Sequence, residues 1–269
     1  MISAKLEGGL GNQMFQIATT YATALDHGDE CGFDFYWKLE RTKSSGRGPS
    51  KYKDNVYSKL QSLPEGWKPE FVYDEPNEYK PIPYQGKMLL RGYLCWPQYF
   101  NHRRKEVIDL FKNKEIISTI SGKFENSVSL HVRRGNYVYD QDIHPMLQMS
   151  YYQRALQYIE SKTKIDHIYI FTENKVVASR DLEWCKENFK RDKRSIFVTD
   201  NLDYYDMYIM SFCKHHIIAN SSFSWWGSYL SENEDKIICS PKNWFGPTSG
   251  LNSAESSAFF CSNWTLIDN

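Results

Sequence analysis

Two adjacent arginines close an apolar run in Ser129-Leu130-His131-Val132-Arg133-Arg134-Gly135-Asn136-Tyr137. A guanidinium is planar, stays charged at any working pH and grips two oxygens at once, which suits a diphosphate. Neighbouring residues of a strand point to opposite faces, so one arginine can meet a ligand while the other makes a structural ion pair. His131 reads equally well as a satisfied core histidine or as a group of the site. A second cluster, Ala219-Asn220-Ser221-Ser222-Phe223-Ser224-Trp225-Trp226-Gly227, puts small hydroxyls where a strand gives way to a helix. Asn220, Ser221 and Ser222 can cap that helix, and its start offers backbone N–H groups to a phosphate. The large rings beside them either anchor the helix in a core or face a ligand. Asp206 can orient an arginine or a ligand hydroxyl, or simply complement a helix dipole as a first-turn acid. Gly8-Gly9-Leu10-Gly11-Asn12-Gln13 is a turn through which backbone can approach a ligand closely. It lacks the third glycine of the dinucleotide pattern, which argues against a nicotinamide-dependent oxidoreductase.

These groups need strand ends and helix starts to hold them, and the hydrophobic period supplies both. Residues 2–6 read as a strand and 13–25 as a helix, with Met14, Ile17, Ala18, Tyr21 and Leu25 at helical spacing. A second strand is expected at 31–36. The stretch 38–86 has little periodicity and reads as a long insertion or acceptor-side loop with short helices. A strand at 87–94 and a helix at 97–111 follow, the helix with Pro97 at its start. Beyond 126, apolar runs at 128–132, 167–171, 195–198, 216–219 and 236–239 alternate with helical patterns at 150–162, 176–189, 202–213 and 223–231. Near-continuous apolar strands separated by helices imply parallel sheets covered on both faces. The expected architecture is α/β, with one Rossmann-like domain over 1–125, a second over 126–240, and the tail 241–269 packing back on the first.

Composition narrows the partners. Lys plus Arg and Asp plus Glu each number 33 in 269 residues, so there is no basic excess to hold nucleic acid or an anionic membrane surface. The positive groups a diphosphate needs must then be concentrated in a few residues. The six cysteines form no CxxC pair and no cluster with metal-ligand spacing, which predicts reduced, structural thiols and no metal site. The start MISAKLEGGLGNQ has no basic stretch followed by an apolar one, and no run approaches the roughly 18 apolar residues of a membrane span; a cytoplasmic protein is expected. Aromatic residues reach 16%, with 19 Tyr, 15 Phe and 8 Trp, an excess that either packs the core or offers faces to sugars.

In order and spacing, GGLGNQMFQ, HVRRGNYV, and CKHHIIANSSFSWWGSYL followed by KIICSPKNWF resemble the α-1,2-fucosyltransferases of glycosyltransferase family 11. The resemblance spans nearly the whole chain. It implies a GT-B-like fold, two Rossmann-like domains with parallel sheets facing a cleft, and metal-independent, inverting transfer of L-fucose from GDP-β-L-fucose to the 2-hydroxyl of a galactose-terminated glycan. No cofactor is implied beyond the donor itself, and a lipid-linked acceptor would bring the enzyme to a membrane periphery. Carried over by position, Arg133, Arg134, Asn220, Ser221, Ser222, Phe223, Ser224, Asp206, Thr172 and Glu173 are the donor-binding candidates. Gly8, Gly9, Gly11, Asn12 and Gln13 form the glycine loop of the cleft, and Arg133, His131 and Asn136 are the catalytic candidates. Two positions depart from the family pattern. Asn136 stands where the motif HxRRxDY has its acid, and Phe171-Thr172-Glu173-Asn174 keeps one acid of FSDD. If the missing acid were the base, the chain would be an impaired variant or a GDP-sugar-binding pseudoenzyme; Glu7, Glu173, Asp206 and His131 are the other candidate bases.

Overall fold

The computed structural model describes residues 1–36, 48–139, 141–173, 179–249 and 259–269, with Asn136 and Ser179 described by backbone alone. Contacts separate two compact units, Met1–Thr119 and Ile120–Asn269. Both are parallel α/β units, as the expected fold requires.

The first unit contains β1 (Ser3–Ala4), α1 (Leu10–Asp26), β2 (Phe71–Asp74), β3 (Met88–Arg91), α2 (Arg104–Phe111) and α3 (Lys114–Ser118). Its three strands are parallel in the order β1-β3-β2. Leu10, Met14, Ile17 and Ala18 recur at helical spacing and are all buried, which fixes α1 on the sheet. Three expectations are corrected here. The run 31–36 supplies only single bridges, Ile2 with Cys31 and Phe33 with Ser62, because it lies beside the sheet without a continuous partner. The stretch 38–86 is less irregular than its composition suggests: it holds a 3₁₀ turn, Pro49–Tyr52, and the edge strand β2, while 38–47 lie outside the described residues. The segment after Pro97 winds through two 3₁₀ turns, Pro97–Tyr99 and Asn101–Arg103, before α2 begins.

The second unit contains β4 (Ser127–Val132), α4 (Met149–Glu160), β5 (His167–Thr172), α5 (Ser179–Phe189), β6 (Ser195–Val198), α6 (Asp203–Phe212), β7 (His215–Ile217), α7 (Ser222–Tyr229), β8 (Ile238–Pro241) and β9 (Thr265–Ile267). All six strands are parallel, in the order β6-β5-β4-β7-β8-β9. β4 is buried along its whole length, as a central strand covered on both faces must be. Val128, Leu130 and Val132 pack with Tyr151, Tyr152, Ala155 and Ile159 of α4 on one side of the sheet. The described part of the tail adds a strand to the second unit. β9 pairs with β8 and covers what would otherwise be an open edge. The rings of the tail are buried on α7: Trp225 Nε1 donates to the Phe259 carbonyl at 2.9 Å, and the Trp264 ring lies 5.3 Å from that of Trp225.

Candidate active site

Strand order in the second unit turns back at β4: β5 and β6 lie to one side, β7, β8 and β9 to the other. In open parallel sheets the crevice outside the carboxyl ends at such a switch point is where ligands bind, because the connecting loops part there. The chain leaving β4 carries Arg133 and Arg134, and the chain leaving β7 carries Asn220, Ser221 and Ser222. Both sequence clusters therefore meet at one crevice of one unit.

Alternation separates the two arginines. Arg133 contacts Glu173 directly, and its guanidinium lies over the Tyr137 ring, 5.1 Å from the centroid. Arg134 turns to the face of α4 and α5, 4.6 Å from the Trp184 centroid. The Arg133 loop is held from several sides. Gly135, at φ +34°, donates its N–H to the buried Asp181 carboxylate at 2.6 Å, and Tyr137 donates its hydroxyl to the Asn220 carbonyl at 3.0 Å while stacking on His144 at 4.6 Å. The backbone of Asn136 lies in the 3₁₀ turn Gly135–Val138; its side chain, like Asn174, is outside the described residues.

His131 shares a face with Arg133. Its Nδ1 lies 2.9 Å from the Ser224 hydroxyl, and its ring is 5.6 Å from that of Phe223. Burial, with the Arg133 charge nearby, pushes the imidazole down to about 3, so it is neutral at working pH. Ser221 caps α7 by accepting the Phe223 N–H. Asn220 is buried and fixed in place: its Nδ2 donates to the carbonyls of Pro145 and Trp244 at 2.9 and 3.2 Å. Asp206, in the first turn of α6, accepts from Asn201 Nδ2 at 3.0 Å, and burial raises its carboxyl to about 6. Thr172 ends β5 and is buried; the next residue, Glu173, is the partner of Arg133.

The glycine loop belongs to the first unit, between β1 and α1. Gly8 takes φ +77°, which L side chains rarely adopt, and its carbonyl accepts from Gln13 Nε2 at 3.0 Å. Gly9 is the N-cap residue of α1, and Gly11 and Gln13 are buried in the helix. Gln16 ties this loop to the end of β3 by accepting the Glu7 N–H at 2.8 Å and donating to the Gly92 carbonyl at 2.9 Å. One acid at this end of the sheet has no counterpart in the motifs. Glu75 follows β2, its Oε2 accepts the Leu94 N–H at 2.7 Å, and its buried Oε1 has no hydrogen-bond donor among the described residues. Burial raises this carboxyl to about 7 despite the N–H groups that favour its charge. The unfolded chain therefore loses the proton near pH 4.5 while the folded chain keeps it to about pH 7. Stability should fall as pH rises through that window and level off above it. Glu75→Gln should remove the slope and gain on the order of 1–3 kcal/mol at pH 8, read by denaturant titration at pH 4.5 and 8.

Asp181, Tyr137, Trp184 and Glu75 hold or flank these groups, and motif reasoning assigned them nothing. Tyr137 lay inside the arginine motif, and Asp181 had only the weak signal of a first-turn acid.

An arginine and a capped helix start converging on the switch point of a parallel sheet form the kind of crevice at which α/β proteins take up nucleotides and phosphates. The model of "Glycosyl transferase family 11" matches residues 89–268, and the chain belongs to that family; it is a glycosyltransferase. An alpha-1,2-colitosyltransferase of Escherichia coli is 30% identical, over 91% of this chain and 92% of its own. The galactoside alpha-(1,2)-fucosyltransferase 2 of Pongo pygmaeus is 25% identical over 97% of this chain and 77% of its own. Among solved structures, the NodZ alpha-1,6-fucosyltransferase soaked with GDP-fucose aligns with 85% of this chain and 92% of its own. At 11% identity and a TM-score of 0.46, that likeness is too remote to bear on the site. No helix among the described residues is long and apolar enough to cross a membrane.

Proposed function

We propose that this chain transfers L-fucose from GDP-β-L-fucose to the 2-hydroxyl of a galactoside, with inversion and without a metal. The observation that carries the reading is the convergence of Arg133, the neutral His131–Ser224 pair and the capped start of α7 at one switch-point crevice. Relatives named for α-1,2 transfer of fucose and of colitose support the linkage. As the bond from the sugar to the phosphate breaks, negative charge develops on the β-phosphate. Arg133 and the N–H groups of the α7 start are placed to take it, at roughly 3–4 kcal/mol for a well-aligned donor. Asp206 offers a carboxylate to the donor's N–H or O–H groups, and Ser222, Phe223 and Thr172 flank the same pocket. Arg134 supports the loop through Trp184. The glycine loop, from Gly8 to Gln13, serves the acceptor side, and a lipid-linked acceptor would make the protein peripheral to a membrane.

Asn136 stands in place of an acid and supplies no carboxylate to accept a proton. Under this reading Asn136→Asp should change the rate by less than about tenfold, whereas an impaired enzyme would gain more. A second donor has an observation in its favour, the 30% identity to a colitosyltransferase. Colitose differs from fucose by the absence of the 3-hydroxyl. A site that hydrogen-bonds this hydroxyl rejects the deoxy sugar by large factors, so parallel assays with GDP-fucose and GDP-colitose on one galactoside decide the donor. Faster turnover of GDP-colitose would replace the first reading by the second.

A further inference from the structure

Parallel pairing sets His131 against Phe171 and Val132 against Thr172. The next residues, Arg133 and Glu173, thus leave adjacent strands side by side, and their charged ends touch. The contact is built into the loop. A Cβ on Gly135 would stand 2.8 Å from the same carboxylate oxygen and 3.6 Å from Arg133 Cζ, so the pair closes over a glycine at φ +34°. Tyr137 lies under the guanidinium on its other side. Arg133 is 25% and Glu173 29% exposed, so solvent screens the pair only in part.

The cation best placed for a diphosphate therefore comes with a fixed anion. A carboxylate there weakens ligand binding in proportion to the ligand's negative charge. A GDP-sugar has both phosphates esterified or bridged. Free GDP gains an ionisable terminal oxygen, and so carries close to one further negative charge at neutral pH.

We propose that Glu173 is a positioning residue and counter-charge that holds Arg133 in place while disfavouring free GDP relative to the GDP-sugar, so that the product leaves. The inference rests on the reading that this crevice binds a GDP-sugar. It moves Glu173 from the list of donor ligands to that of groups acting through Arg133.

The test is calorimetric binding of GDP and of GDP-fucose, without acceptor, to wild type and to Glu173→Gln, whose amide oxygen can still accept from Arg133. Glu173→Gln should bind GDP about tenfold more tightly and GDP-fucose at most about threefold more tightly, with the difference shrinking as salt is raised. Competitive inhibition by GDP during transfer should strengthen by the same factor. Thermal midpoints should stay close, since the amide keeps the contact with Arg133 and the residue is partly exposed. Equal shifts for both ligands, or weaker GDP binding in the variant, would overturn the proposal and leave Glu173 a strut. A wild-type protein that bound neither ligand would overturn the donor reading as well.

Discussion

Arg133→Ala should lower kcat/KM for transfer by about 10²–10³-fold with the fold intact, because it removes one aligned donor from the phosphate that gains charge. Most of the loss should fall on kcat, since the interaction strengthens as the bond to phosphate breaks. Arg133→Lys should recover only part of it: the charge returns, but the planar fork that meets two oxygens does not. Arg134→Ala supplies the contrast. Its guanidinium lies on Trp184, on the opposite side of the strand end, so the variant should lose stability and loop order before it loses leaving-group stabilisation. Steady-state kinetics with unfolding midpoints for the three variants separate these outcomes. Wild-type transfer by a folded Arg133→Ala would remove the residue from its role.

Trp225→Ala should cost about 3–5 kcal/mol of unfolding free energy, as truncation of a fully buried ring does. The ring is 1% exposed, stacks on Tyr229 at 4.7 Å, touches Trp226 at 5.1 Å and donates to the Phe259 carbonyl. Its loss leaves a cavity, takes a donor away from the Phe259 carbonyl, and loosens the tail that closes the sheet edge. Trp225→Phe, which fills most of the volume but lacks the donor, should cost roughly half as much. Urea titration checks both, and a cost under about 1 kcal/mol for Trp225→Ala would mean that the rings of this motif face ligand rather than core.

The same rings show why parts of this molecule were legible in its sequence and parts were not. β4 and α7 announce themselves locally, one through Val128, Leu130 and Val132 at strand spacing and the other through a serine cap followed by buried rings. β2 and β9 do not: each has three or four residues, and each exists because a distant strand offers an edge. Alternation along the strand already required Arg133 and Arg134 to part company and kept Arg133 on the face of His131, but the partners each would find, Glu173 and Tyr137 for one and Trp184 for the other, lie beyond the strand itself. Glu173 resembled a donor ligand by position, and only the register of β5 against β4 set it on Arg133. Glu75 was hidden because its neutral-range carboxyl depends on burial beside Gly92 and Leu94, residues far along the chain. The aromatic excess divides in the same way. Trp225, Trp226, Tyr151 and Tyr152 are core, while Tyr36, Tyr93 and Tyr139 are among the described rings that stand in solvent.

The central claim is the transfer itself. Purified protein with GDP-fucose or GDP-colitose, a galactoside acceptor and EDTA should release GDP in step with an α-1,2-linked product, identified by mass spectrometry and linkage analysis. Acceptor-independent release alone, or transfer supported by a uridine diphosphate sugar and by neither guanosine diphosphate sugar, would contradict it.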